Sequence, residues 1–146
     1  MILPDVNLLI YAVDTASPDH SAARQWLEKQ LSGPGTLAFS WLTLLAFVRL
    51  TTRARVFEMP YSMAEAFQFV DSWLALPSTV IIHPGDRHHV VLREMLEAVG
   101  TAGNLVPDAH LAALAIEHGA ILATADRDFG RFPRVRVFNP LTGSSS

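Results

Sequence analysis

Short runs of apolar residues alternate with longer amphipathic segments along the chain. A short apolar run bounded by turn residues is typical of a buried strand, whereas apolar residues spaced three and four apart indicate one face of a helix. The pattern predicts strands at residues 2–3, 36–39, 79–82, 121–123 and 136–138. It predicts helices at residues 6–12, 18–31, 41–52, 62–76, 87–99 and 107–118. This alternation is typical of a mostly parallel sheet with helices on both faces, so the predicted fold class is α/β.

Two predicted helices are unusually apolar. Residues 41–52, WLTLLAFVRLTT, follow a candidate cap at Ser40, and we expect this helix to be buried on most of its circumference. Residues 62–76 carry Met63 and Phe67 on a wide apolar face. Because one small domain cannot easily cover both helices, we expect them to mediate a homodimer and contacts with a protein partner.

Turn residues set the expected boundaries. Ser17, Pro18 and Asp19 have the order of cap, first-position proline and first-turn acid, so the second helix is predicted to start at Pro18. Residues 1–140 are predicted to form one domain. Residues 141–146 are predicted to be a polar tail, whose final GSSS we do not expect to fold.

The composition is that of one packed domain. Of the 146 residues, 50% are hydrophobic and 17% are charged, which excludes a disordered chain or a collagen-like fibre. The sequence has no cysteine, so a metal would need oxygen or imidazole ligands, and a reducing compartment is favoured. The first residues lack a basic region and are interrupted by Pro4, Asp5 and Asn7. They therefore predict neither a signal peptide nor a membrane span, and we expect a cytoplasmic protein.

The formal net charge of -3 argues against a strongly basic nucleic-acid coat. All basic residues except Lys29 are arginine, a side chain that grips phosphate with two parallel hydrogen bonds. Most of them lie in two stretches, Arg49, Arg53 and Arg55, then Arg127, Arg131, Arg134 and Arg136. On composition alone, the simplest interpretation is a solvated or ion-paired surface.

Four aspartates fall at element ends that can meet at one edge of the predicted sheet. Asp5 follows the first strand, Asp126 and Asp128 follow strand 121–123, and Asp108 lies in the first turn of the preceding helix. Singly, each has an ordinary explanation as a cap, a first-turn charge or a turn former. Together they predict a site, because ligands of parallel sheets bind beyond the carboxyl ends of the strands.

Clustered carboxylates repel one another and retain protons unless a cation lies between them. Oxygen ligands without cysteine or histidine suit Mg²⁺, for which Mn²⁺ substitutes. Such an ion neutralises charge on a phosphate and activates water, so the acids predict phosphoryl chemistry.

Three motifs, in order along the chain, resemble those of the PIN-domain ribonucleases: PDVN at 4–7, DAHLAALA at 108–115 and TADRDF at 124–129. The small size and the match over nearly all of residues 1–140 look like the VapC toxins of bacterial toxin–antitoxin pairs. The resemblance implies a single PIN-like domain acting as a metal-dependent endoribonuclease toxin. It also implies an RNA substrate and a cognate antitoxin that silences the enzyme.

The resemblance implies roles for individual residues. Asp5, Asp108 and Asp126 match the catalytic, metal-holding acids, and Asp128 is a further acid. The expected polar support and substrate contacts come from Asn7, Asn104, Thr124 and Arg127. Arg127 and Arg131 flank the acidic turn, where they can hold substrate phosphates.

One family position is missing. The family usually carries a glutamate in the helix after the second strand, near Phe47 here, but residues 29–56 contain no acid. Glu58 and Glu117 are the available substitutes. Without one, we expect the free protein to bind one metal ion tightly and a second only together with RNA.

The histidines His83, His88 and His89 lack the spacing of metal ligands, so we interpret them as surface residues. His110 is predicted to lie on a different side of its helix from Asp108, and His118 to occupy a helix end. Trp26, Trp41 and Trp73 are spaced as core or interface residues.

Two alternatives remain open. The missing glutamate is compatible with a catalytically impaired PIN-like module that binds RNA or protein without cutting. A phosphatase-type DxD at Asp126 and Asp128 is less favoured, because that chemistry needs an aspartate where the first motif has Asn7.

Overall fold

A computed structural model describes residues 1–54 and 57–146. The strands are β1 (Ile2–Pro4), β2 (Leu37–Phe39), β3 (Thr79–Ile81), β4 (Ile121–Ala123), β5 (Arg136–Asn139) and β6 (Ser144–Ser145). The α-helices are α1 (Val6–Val13), α2 (His20–Ser32), α3 (Trp41–Thr51), α4 (Met63–Leu74), α5 (His88–Val99) and α6 (Val106–Glu117). Short 3₁₀ segments lie at Gly103–Leu105 and Arg127–Arg131. The alternation confirms the predicted α/β class.

The sheet has the order β3-β2-β1-β4-β5-β6, and β1 to β5 are all parallel. The chain extends the sheet on one side of β1 through β2 and β3, then on the other through β4 and β5. Strands β1 and β4 therefore flank the point at which strand order reverses, where parallel sheets commonly bind ligands. Pro4 pairs with Ala123 across this point. Asp5 and Thr124 thus leave the sheet side by side.

Apolar side chains cover both faces of the sheet. On one face Leu3 and Leu122 pack in a buried cluster with residues of α5 and α6. On the other, Leu37 and Phe39 pack with residues of α1 to α4. Phe39 stacks on Trp73 of α4, with ring centroids 5.8 Å apart. The two cores hold β1 and β4 from both sides and fix the edge at which Asp5 and Thr124 emerge.

The predicted start of α2 at Pro18 is wrong. The Ser17 hydroxyl accepts a hydrogen bond from the backbone N–H of Asp19 at 3.1 Å, which closes a local turn. The helix begins at His20, after Asp19, whose side chain makes no capping bond.

The expected unfolded tail is also a wrong prediction. Ser144–Ser145 pairs antiparallel with β5, and Ser146 exchanges two backbone hydrogen bonds with Val137, each 3.0 Å. Gly143, with φ of 74°, makes the reversal possible. The pairing satisfies an edge that β5 would otherwise leave open.

The expected burial of the third helix on most of its circumference is wrong as well. Trp41 and Leu45 on α3 are 49% and 65% exposed, because α3 packs through its other side on α1 and α4. Met63 on α4 is 70% exposed, whereas Trp73 is buried, so α4 combines core and surface as predicted. Among the described residues, no helix has the length and apolar character needed to cross a membrane.

Candidate active site

The hydroxyl of Thr124 joins the residues that follow β1 and β4. Thr124 is buried directly after β4, and its Oγ1 donates to Asp5 Oδ2 at 2.9 Å. The same oxygen accepts the backbone N–H of Asp126 at 3.0 Å and the amide of Asn7 at 3.5 Å. One side chain therefore fixes the distance between the first and third motifs.

Asp5 both caps α1 and faces the site. Its Oδ1 accepts the Val6 N–H at 2.7 Å, while its backbone N–H donates to Ala123 O at 2.8 Å. Burial raises the pKa of Asp5, the bonds from Thr124 and Val6 lower it, and the charge of Asp126 raises it. Asp5 therefore caps α1 through one carboxylate oxygen and bonds Thr124 through the other.

Asp108 lies in the first turn of α6 and is partly buried. Its pKa is raised to about 6, chiefly by burial and then by the charges of Asp5, Asp126 and Asp128, while Arg131 lowers it. These influences place Asp108 in the field of the other three acids. Asp108 is therefore close enough to the other acids for their charges to act on it.

The third motif forms a tight acidic turn. Asp126 precedes the 3₁₀ segment Arg127–Arg131 and accepts the Asp128 N–H at 2.8 Å through Oδ1. Asp128 and Arg127 are exposed. The Arg131 Nε donates to the Asp128 carbonyl at 3.5 Å. Of the two arginines that flank the turn, Arg131 is the one whose charge acts on Asp108.

The donor set fits a hard divalent cation. Asn7 Oδ1 is buried and has no hydrogen-bond partner within residues 1–54 and 57–146. Such an atom is costly unless another ligand satisfies it. Across the same residues no three acidic or histidine side chains converge on one ion position. An unpartnered amide oxygen beside mutually repelling carboxylates nevertheless matches the oxygen ligands of Mg²⁺.

A groove of about 770 Å³ opens beside Asp126. Its lining also includes Thr124, Arg127, Asn139 and the residues of β6. Asn104 lies exposed in the 3₁₀ segment before α6, and Arg49 and Arg53 lie exposed at the end of α3. Arg55 is outside the described residues.

Neither proposed substitute for the family glutamate lies free at the acid cluster. Glu117 ends α6, where its Oε1 accepts the Gly85 N–H and its Oε2 pairs with His88. Glu58 lines a cavity with Asp14 at the opposite end of α1 from Asp5. Phe47 is fully buried and packs edge-on against Trp73, at 4.9 Å between ring centroids.

The interpretation of His88 as a surface residue is wrong. Its side chain is 13% exposed and lies between Glu117 and His110, at 2.5 Å and 2.9 Å. Burial lowers the pKa of His110, and so does the neighbouring charge of His88. His83 and His89 are exposed as expected, and His118 Nε2 donates to the His83 carbonyl. No pattern in the sequence indicates this cluster, because its members come from two helices.

Comparison with known proteins agrees with this geometry. The PIN domain pattern matches residues 2–135. The chain is 48% identical over 140 residues to Ribonuclease VapC37 of Mycobacterium tuberculosis, covering 96% of this chain and 97% of that protein. It is 39% identical over 140 residues to Ribonuclease VapC25 of the same organism, covering 96% and 99% respectively.

Solved structures share the fold at lower identity. VapBC2 from Rickettsia felis, bound to a DNA fragment from its promoter, gives a TM-score of 0.69 at 22% identity, covering 95% of this chain and 98% of that one. VapC20 of Mycobacterium tuberculosis, described as a sarcin-ricin loop cleaving toxin, gives 0.68 at 17% identity, covering 92% and 98%.

Proposed function

The chain belongs to the PIN-domain family and to its VapC ribonucleases, and from that premise we propose that it is an endoribonuclease toxin of a toxin–antitoxin pair. It cleaves phosphodiester bonds in RNA in the cytoplasm and is neutralised by a cognate antitoxin. The observation that supports the proposal is that Thr124 holds Asp5 and the Asp126 backbone together at the carboxyl edge of the sheet, where the charges of both acids raise the pKa of Asp108.

The enzyme depends on Mg²⁺, for which Mn²⁺ substitutes, and Asp5, Asp108 and Asp126 hold the ion. The unpartnered Asn7 Oδ1 supports this assignment as a further oxygen donor. When bound, the ion offsets negative charge on the scissile phosphate and makes water a better nucleophile. No covalent nucleophile from the protein is required.

The protein's own residues orient the acids and the substrate. Thr124 keeps one Asp5 oxygen and the Asp126 backbone in place, so the two motifs move as a unit. Arg127 lines the groove beside Asp126 and binds an RNA phosphate, and Arg131 offsets the negative charge near Asp108. Asn104 and Asp128 complete the polar rim.

The free protein binds one divalent ion tightly, and a second ion arrives with the RNA. A two-metal site needs ligands for ions roughly 3.5 to 4 Å apart, and this cluster has three acids for them. Glu117 is engaged by Gly85 and His88, which supports the smaller metal count. The scissile phosphate supplies the remaining negative oxygens.

The exposed apolar side chains of α3 and α4 mediate homodimer and antitoxin contacts. Trp41, Leu45, Met63 and Phe67 are each 45% exposed or more, which is unusual for side chains of this size on a free surface.

Purified protein incubated with RNA tests the proposal. We expect cleavage in Mg²⁺, no cleavage in EDTA, and loss of cleavage in Asp5→Asn and Asp108→Asn. Asp71→Asn, an exposed acid on α4, is the matched control and should cut at the wild-type rate. A wild-type rate in Asp5→Asn or Asp108→Asn would contradict the assignment. Mapping new RNA ends after induction identifies the substrate.

The absence of an acid from α3 favours a second candidate, an impaired module that binds RNA or a protein partner without cutting. Retention of RNA on the protein in Mg²⁺, with intact RNA recovered, would select this candidate over the nuclease.

A further inference from the structure

A chain of hydrogen bonds connects α5 to α6. His88 Nδ1 lies 2.5 Å from Glu117 Oε2, and His88 Nε2 lies 2.9 Å from His110 Nδ1. The second oxygen of Glu117 accepts the Gly85 N–H at 3.2 Å. We refer to His88, His110 and Glu117 as the His88 network.

Every bond in the network is satisfied whether His88 is neutral or protonated, because its Nδ1 donates to Glu117 in both cases and its Nε2 either accepts from or donates to His110 Nδ1. With both imidazoles neutral, His110 donates its Nδ1–H to His88 Nε2, and His88 donates its Nδ1–H to Glu117. The carboxylate then accepts from His88 on one oxygen and from Gly85 on the other. Fully satisfied polar networks with little exposure select one geometry, because any other leaves a polar atom unpaired.

The rotation of helix α6 about its axis needs to be set by polar contacts of this kind. Ala109 and all residues from Leu111 to Ala115 are at most 3% exposed, so apolar side chains surround the helix on all sides. A stretch that is apolar all round has no polar face to set its rotation, and small alanine side chains give packing little shape to do so, so the polar residues His110 and Glu117 on either side of it carry that role. Its first turn also lacks a side-chain cap, since Leu105 occupies the N-cap position.

Asp108 lies in that uncapped first turn, two residues before His110. Within residues 1–54 and 57–146, no hydrogen bond holds its carboxylate, whereas Asp5 and Asp126 are both tied to Thr124. The position of Asp108 relative to the other acids therefore depends on where the body of α6 sits.

We propose that the His88 network fixes the rotation and axial position of α6 and thereby places Asp108 beside Asp5 and Asp126. His88, His110 and Glu117 are positioning residues in this scheme and do not touch substrate. The inference rests on the proposed function, in which Asp108 holds the metal.

The test uses His88→Phe, which keeps a ring of similar size and removes both nitrogens. In its crystal structure we expect the Asp108 carboxylate to move relative to Thr124 by about 1 Å, a displacement that can reduce a rate roughly 100-fold. Mn²⁺ affinity should fall roughly 10-fold or more, as for other groups that orient metal ligands. RNA cleavage should lose kcat with little change in KM.

Glu117→Gln is the conservative variant, because the glutamine oxygen still accepts from His88. Because its amide NH₂ replaces the oxygen that accepts from Gly85, this variant loses that bond; it should retain more of the Mn²⁺ affinity than Glu117→Ala, which loses both bonds. His118→Phe is the matched control. His118 follows α6 directly and bonds the His83 carbonyl, in the loop between β3 and α5, at 2.8 Å, but it lies outside the network. It should bind Mn²⁺ as the wild type does.

An unmoved Asp108 in His88→Phe would overturn the proposal, and so would equal losses in His88→Phe and His118→Phe. Should His88→Phe fail to fold, His110→Phe removes one bond of the network and should give a smaller loss of the same kind. The crystal structure reports on the position of Asp108 without metal or RNA. If the protein cuts no RNA, the proposed function is refuted, but the crystal structure still decides whether the His88 network positions Asp108.

Discussion

Replacing Asp108 with asparagine should stabilise the metal-free protein while abolishing its activity. The pKa of Asp108 rises to about 6 from the ordinary 3.8, chiefly through burial and then through the charges of Asp5, Asp126 and Asp128. A difference of this size corresponds to about 3 kcal/mol against the folded state when the group is ionised. Because Asp108 is partly exposed, solvent screening reduces the expected gain to about 1 to 2 kcal/mol.

The sign of the effect depends on pH. Below about pH 4 the carboxyl is protonated in both the folded and unfolded states, so wild type and Asp108→Asn should be almost equally stable. Between about pH 4 and pH 6 the unfolded state ionises first, and the wild type loses stability relative to the variant. Above about pH 6 the group is ionised in both states, and the difference is complete.

Urea unfolding in EDTA at pH 4 and pH 7.5 measures this difference. The free energy of unfolding of Asp108→Asn should exceed that of the wild type at pH 7.5 only. Asp71→Asn on the exposed face of α4 is the control and should not reproduce the pattern. Added Mg²⁺ should reverse the order, because a ligand that binds only the folded state stabilises it by an amount that grows with the ratio of ligand concentration to Kd. A variant less stable than wild type at pH 7.5 in EDTA would refute the argument that Asp108 is held in a repulsive cluster.

Three further outcomes are expected. Thr124→Val should lower the free energy of unfolding by about 2 to 4 kcal/mol, as measured by calorimetry. The substitution removes the hydroxyl that donates to Asp5 and accepts the Asp126 N–H. A loss below about 1 kcal/mol would argue against a structural role for these two bonds. Titration calorimetry of the RNA-free wild type should show one tight Mn²⁺ equivalent, and two would contradict the reduced metal count. Leu45→Ser with Met63→Ser should convert the dimer to a monomer by light scattering at tens of micromolar; an unchanged mass would exclude this face as the dimer interface.

The local pattern of the sequence predicted most of the secondary structure. Strand 121–123 was predicted with the bounds of β4, because a short apolar run between Gly119 and an acidic turn has few other conformations. The start of α2 was predicted at Pro18, whereas the helix begins at His20. The Ser17 hydroxyl accepts the Asp19 N–H in a local turn that precedes the helix. The strand at Ser144–Ser145 carries no hydrophobic signal, because backbone pairing with β5 forms it.

The sequence also identified the acids of the candidate site. Asp5 and Asp126 come after two parallel strands whose ends lie at one edge of the sheet, and Asp108 lies in the first turn of a helix. The specific contacts are not predictable in this way. The link from Thr124 to Asp5 spans 119 positions, and its existence depends on the Pro4–Ala123 register.

What the sequence determined by itself is the set of elements and the chemistry carried at their ends, because hydrophobic period, turn residues and charge act over a few neighbouring positions. The tertiary structure decided which apolar faces stay exposed, such as that of Leu45, and which polar groups lose water, such as His88 and Asn7 Oδ1. Burial and pKa depend on atoms contributed by distant segments of the chain. Only their packing therefore determines that the pKa of Asp108 is raised to about 6 and that Glu117 pairs with a histidine.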